Sequence, residues 1–218
     1  MKGLLKSVFY EISDGIRMAA GCVLGVGIIL MATGNSNLLT TFSVLIPPIL
    51  AALIFSGLRK SDASKWSKYK VTFPVRRREI VKSQYIAHTV GSMVGVVTVS
   101  AFMGTTVLLH GNQYFYYGFR DAITLILAGA LLAFLVGAIA YPLYYLWGAD
   151  RTELILTAGI LGSIGFILLL TGIANHLSDG HVTDAEYYLN LIIDVVITAV
   201  SYVFSYILSV KLFQKKEY

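Results

Sequence analysis

"DAITLILAGALLAFLVGAIAYPLYYLW", residues 121–147, carries no charged side chain after Asp121. As a helix rising 1.5 Å per residue, it is long enough to cross the ~30 Å hydrocarbon core of a bilayer. Apolar runs of the same kind recur at 16–33, 38–57, 84–109, 154–174 and 189–210, so the sequence predicts six spans. They are predicted as helices, because backbone groups in lipid must find their partners within the segment. Barrel strands would be about 10 residues long with alternating polarity, and that pattern is absent.

Composition agrees. Of 218 residues, 56% are hydrophobic and only 13% are charged, with a mean hydropathy of +0.73; a soluble domain carries about 25% charged residues. The segments between the runs fall short of the ~50 residues that a soluble domain needs. Residues 1–218 therefore read as one all-α, polytopic transmembrane domain. The lone cysteine, Cys22, sits on an apolar helix, where a thiol is usually packing. "MAAGC" at 18–22 loosely resembles a lipoprotein cleavage site. Its apolar run follows rather than precedes it, so no cleavage is expected.

Basic residues set the orientation, since Lys and Arg near span ends stay in the cytoplasm. With the N-terminus inside, sixteen of the seventeen basic residues are cytoplasmic, nine of them in 58–83, and only Arg120 lies outside. Both termini are expected in the cytoplasm of a multi-pass cell-membrane protein, bacterial in type. The outer segments 110–120 and 175–188 hold Asp179, Asp184 and Glu186 among tyrosines. These tyrosines, with Tyr141, Tyr144, Tyr145 and Trp147 at the other face, are expected to form interfacial aromatic belts.

Ahead of the first span, Leu4, Leu5, Val8, Phe9, Ile12 and Ile16 share one helical face. Lys2, Lys6, Tyr10, Glu11, Ser13, Asp14 and Arg17 share the other. Such a segment lies in the membrane plane, so 1–15 is predicted to be an interfacial helix in contact with lipid, bending into the first span at Gly15.

Few residues inside the spans carry chemistry. There is no G-x-x-x-x-G-K-[ST], H-E-x-x-H or G-x-S-x-G stretch. "LSDGH" at 177–181 faintly echoes an ATPase signature but lies in a short outer loop. His176 and His181, with Asp179 and Asp184, match no standard metal spacing. No cofactor or metal is expected on this chain. His88 and Asp194 are the main intramembrane ionisable groups, and Asp194, about one turn from the outer end of the sixth span, is a candidate for lining an outer vestibule. Small residues four apart, Gly21 with Gly25, Gly91 with Gly95 and Ala158 with Gly162, mark close helix contacts.

The most polar stretch is "SDASKWSKYKVTFPVRRREIVKSQY", residues 61–85. No nucleic-acid-binding fold surrounds it, so nucleic acid is not an expected partner. Trp66, Tyr69 and Phe73 fall at i, i+3 and i+7, giving a short helix an aromatic edge. Pro74 stops that element, because its ring cannot continue the ladder behind it.

The spacing of Asp62, Trp66, Tyr69, Pro74, Arg77, Val81 and Tyr85 resembles the cytoplasmic loop of type-2 ABC exporter permeases, with Phe73 where leucine is usual. The motif covers about 25 residues, while the layout of interfacial helix, six spans and basic tail is similar throughout. The small permeases of phenol-soluble modulin exporters, which move amphipathic peptides, look most alike. The resemblance implies that 58–83 is a coupling loop against a separate ATPase subunit, with ATP and Mg held on that partner. It also implies that Trp66 and Tyr69 are contact knobs, and that Arg151 and Glu153 form a second, smaller contact. Two ATPase copies and a second permease copy are implied too, with Gly21, Gly25, Ala158 and Gly162 as the expected dimer interface. The expected cargo is an amphipathic peptide or a lipid-like molecule. A membrane enzyme acting on lipid or peptide bonds, and a non-transporting anchor or sensor, stay open as alternatives.

Overall fold

The computed structural model of the chain describes residues 2–65, 75–111, 115, 118–177 and 183–215. A short helix α1 (Lys2–Glu11) precedes six long ones: α2 (Ser13–Thr33), α3 (Ser36–Ala63), α4 (Arg77–His110), α5 (Phe119–Trp147), α6 (Thr152–Leu177) and α7 (Asp184–Lys215). All six are long and apolar enough to cross a membrane, and no strand occurs among the described residues. The predicted spans are each contained in one of these helices. The protein is an all-α, multi-pass membrane protein.

The helix ends follow from local chemistry. Gly34 adopts φ 58° and donates its N–H to the Leu30 carbonyl, ending α2 in the left-handed cap that glycine adopts freely. The Asn35 side chain then accepts from the backbone N–H groups of Asn37 and Leu38 to start α3. At α7, Thr183 N–H donates to Glu186 Oε2 over 2.8 Å, while Glu186 N–H reaches Thr183 Oγ1 over 3.4 Å, a reciprocal capping box.

Helix α3 is the centre of the bundle. It packs on α4 and α5; α5 also packs on α6 and α7, and α2 is held by α3 and α4. The apolar stretch of α3 is 44% buried, against 17% for α2 and 11% for α7. Small residues allow this close approach. A β-carbon at Gly95 would lie 2.7 Å from Pro47 Cα, and one at Gly129 would lie 2.5 Å from the Ser43 carbonyl oxygen and 3.1 Å from Pro47 Cγ. Pro47 is thus wedged between two glycines of neighbouring helices. Proline in a membrane helix is tolerated where neighbouring groups cover the gap in its hydrogen-bond ladder.

Two sequence expectations are corrected here. The bend between α1 and α2 falls at Ile12, not Gly15, which lies within α2. Ile12 and Val8 are buried against Ile54 and Ala87, and Ile12 Cγ2 occupies the space a β-carbon at Gly57 would take. The apolar face of α1 is therefore covered by protein, which fixes where the chain turns. Secondly, Tyr141, Tyr144 and Tyr145 do not form a belt but lie in the core, 0%, 7% and 6% exposed. Phe55 meets the rings of Tyr141 and Tyr144 edge-on at 5.3 and 5.8 Å, an arrangement that aromatic quadrupoles favour. Only Trp147, at the helix end, stays exposed.

Candidate functional site

The basic ends of the helices converge. Near the end of α3, Asp62 Oδ2 accepts a 2.6 Å hydrogen bond from the Tyr144 hydroxyl of α5. One turn earlier, Arg59 Nη1 donates to Glu153 Oε1 across 2.7 Å. Glu153 opens α6 directly after the 3₁₀ turn Ala149–Arg151, and Gly148, at φ 87°, starts that turn. The end of α3 is thereby joined to the turn between α5 and α6. Arg151 is exposed on that turn.

On the other flank, Arg77 begins α4. Its Nη1 donates to the Phe213 and Gln214 carbonyl oxygens over 3.3 and 3.1 Å, and its guanidinium lies 5.9 Å from the Phe213 ring. The last carbonyls of a helix lack intrahelical partners, so a cation there satisfies them and complements the helix dipole. Arg78 Nε donates to the Tyr206 hydroxyl over 3.2 Å. Further along α4, Val81 and Tyr85 join Phe55, Tyr141, Tyr145 and Phe213 in one core cluster. Trp66, Tyr69, Phe73 and Pro74 lie outside the described residues. The residues on either side of them, Asp62 and Arg77, are tied to different helices, α5 and α7. Sequence reasoning missed Tyr144 and Arg59, because neither carries a motif and each acts through a partner more than 80 positions away.

Above this end runs a polar seam between α4 and α7. The Tyr85 hydroxyl is 2.7 Å from Ser205 Oγ and 2.8 Å from Ser209 Oγ. The Tyr202 hydroxyl donates to the Tyr85 carbonyl over 3.0 Å. Such hydroxyls hold helices together where the surroundings are hydrocarbon.

The remaining expected positions are dispersed. Gly21 and Gly25 are exposed, with nothing within 4 Å of where their β-carbons would be. Ala158 is half-buried, and Gly162 is exposed, although its β-carbon would meet Ile139 Cδ1 at 3.0 Å. The inward line of α6 is instead Ile155, Gly159 and Ser163. Asp194 is half-buried on α7, with no hydrogen bond among the described residues. At the end of the bundle opposite the arginines, Arg120 pairs with Asp184 at 2.6 Å and sits 3.7 Å over the Tyr187 ring. Among the described residues no group of three His, Cys, Asp or Glu converges to hold a metal.

A family model described as ABC-2 family transporter protein matches residues 3–214. No curated protein and no solved structure matches the chain.

Proposed function

The chain belongs to the ABC-2 transporter family, and from that premise we propose that it is the permease of an exporter for amphipathic peptides of the phenol-soluble modulin kind. It is the membrane subunit of an ABC transporter, and its family implies association with an ABC ATPase subunit. In the proposed assembly two copies of the chain pair, two ATPase copies bind at the basic end in the cytoplasm, and ATP with Mg is held on the ATPase. Asp194 faces a water-filled vestibule on the outer side.

The observation that carries this reading is the bracing on both sides of 66–74. The Asp62–Tyr144 and Arg59–Glu153 links tie its first flank to α5 and α6, and Arg77 ties its second flank to the end of α7. A push delivered to this loop would reach three membrane helices at once, as a coupling element requires.

The loop divides into two jobs. Trp66 and Tyr69 fill a groove on the ATPase, and truncating aromatics at the centre of an interface commonly costs about 2 kcal/mol or more. Arg76 and Arg78 hold the loop at the anionic lipid surface, worth about 1 kcal/mol per charge. Trp66→Ala with Tyr69→Ala should leave insertion intact and release or uncouple the ATPase. Arg76→Gln with Arg78→Gln should leave coupling largely unchanged. Co-purification and ATP hydrolysis, measured for both double variants with the ATPase subunit, test this. Normal coupling in the aromatic variant together with loss in the arginine variant would show an electrostatic dock instead.

A further inference from the structure

Transport coupling leaves buried polar groups of α4 unused. His88 is 0% exposed, and its Nε2 lies 3.0 Å from the Ala133 carbonyl oxygen of α5. A carbonyl can only accept, so Nε2 carries the proton and Nδ1 keeps a lone pair. The ring reaches α5 because position 137, one turn beyond Ala133, is glycine; a β-carbon there would overlap the imidazole. Nδ1 is buried and makes no hydrogen bond among the described residues. One turn back on α4, Gln84 is 2% exposed, and its Oε1 is likewise buried and unpartnered. Two acceptors thus share one helix face with no donor for either among the described residues, in a region where unmet polar atoms are strongly disfavoured.

We propose that one buried water donates one hydrogen to His88 Nδ1 and the other to Gln84 Oε1. Side chains four apart on a helix have β-carbons about 5–6 Å from each other. Two hydrogen bonds of about 2.8 Å meeting at one oxygen can bridge polar atoms on two such neighbouring side chains. The guest must be a donor, and a small one suits atoms this deep: Gln84 is 2% exposed, and His88 and Tyr141 are 0% exposed. Beside them the Tyr141 hydroxyl donates its one proton to the Gln84 carbonyl over a long 3.4 Å.

Polar side chains follow one another from the basic end toward His88. Arg78 donates to the Tyr206 hydroxyl at that end. Tyr85 with Ser205 and Ser209 comes next, and then Tyr202, whose hydroxyl is 3.3 Å from Thr89 Oγ1 and whose ring is 6.0 Å from that of His88. The water completes the hydrogen bonding of the imidazole that holds α4 against α5.

Nuclear magnetic resonance of the full chain in lipid nanodiscs, with isotopically labelled histidine, tests the site. The His88 signals are identified by their loss in His88→Gln. Nε2 should be protonated, and Nδ1 should be bare but hydrogen-bonded, with magnetisation transfer from water protons. Gln84→Leu should lose most of that transfer while the Nε2–H bond to Ala133 persists. Undiminished transfer in Gln84→Leu overturns the proposal. Should that variant fail to fold, the native protein decides alone. Absence of water transfer, protons on both nitrogens, or a direct bond from the Gln84 amide to Nδ1 would each overturn it.

Discussion

Gly91 and Gly95 in α4 and Gly21 and Gly25 in α2 share one spacing and face opposite surroundings. β-Carbons at the first pair would collide with Ile54 and with the backbone of Pro47, while β-carbons at the second would touch nothing within 4 Å. The spacing reports only that a helix can be approached closely. What approaches it is decided elsewhere, by the position of each helix in the bundle. Glycine in a helix interior costs about 1 kcal/mol relative to alanine. In α4 the packing against α3 offsets that cost. In α2 none of the described residues does, and a second copy of the chain is the proposed partner.

The largest expected effect comes from placing the same methyl group at both sites. Gly95→Ala forces a β-carbon to 2.7 Å from Pro47 Cα, which belongs to a backbone held on its other side by Gly129. Overpacking typically costs about 1–3 kcal/mol, and here the upper end is expected because the obstacle is not a flexible side chain. Unfolding of the detergent-solubilised protein should show the loss. A Gly95→Ala variant as stable as the parent would mean that α3 and α4 do not approach this closely.

The α2 pair should respond differently. No described residue lies within 4 Å of either β-carbon, so with Gly21→Leu and Gly25→Leu the monomer should stay folded, while pairing of two chains should fail. Cysteines on this face in a Cys22→Ser background should crosslink between chains before the leucines are introduced and not afterwards. Crosslinking that persists with the leucines would place the contact elsewhere. The corresponding stripe on α6 carries less of this expectation, since Gly162 already faces Ile139.

These contrasts also mark what could be read without a structure. Hydropathy located all six spans, because a helix in lipid needs about 20 apolar residues and little else can produce such runs. Amphipathic spacing located α1, because apolar residues recurring every three to four positions mark a helix with one covered face. The bend at Ile12 was not legible, because it is set by burial beneath Ile54 and Ala87, a long-range contact. The tyrosines at 141, 144 and 145 misled because position near a span end predicts a belt, whereas partners at Phe55, Asp62 and Gln84 draw them inward. The loop motif pointed to Asp62 and Arg77. It could not indicate that Tyr144 and the α7 carbonyls hold them, since neither pairing leaves a local pattern in the sequence.

The smallest effect is expected at Asp194, on α7, whose apolar stretch is only 11% buried. The sign of a substitution separates two surroundings. If the carboxylate faces water, Asp194→Asn removes a charge that has no hydrogen-bond partner among the described residues, and stability should change by no more than about 0.5 kcal/mol. If it faces hydrocarbon, the charge carries a penalty of up to about 2.5–3.5 kcal/mol at the centre of a span. Asparagine would then stabilise the protein by a sizeable part of that. The vestibule reading therefore predicts near-neutrality in unfolding measurements. It also predicts that a cysteine at 194, in a Cys22→Ser background, reacts with a membrane-impermeant thiol reagent added from outside. Stabilisation by asparagine together with an inert cysteine would put Asp194 against lipid and leave α7 without a water-lined face at that depth.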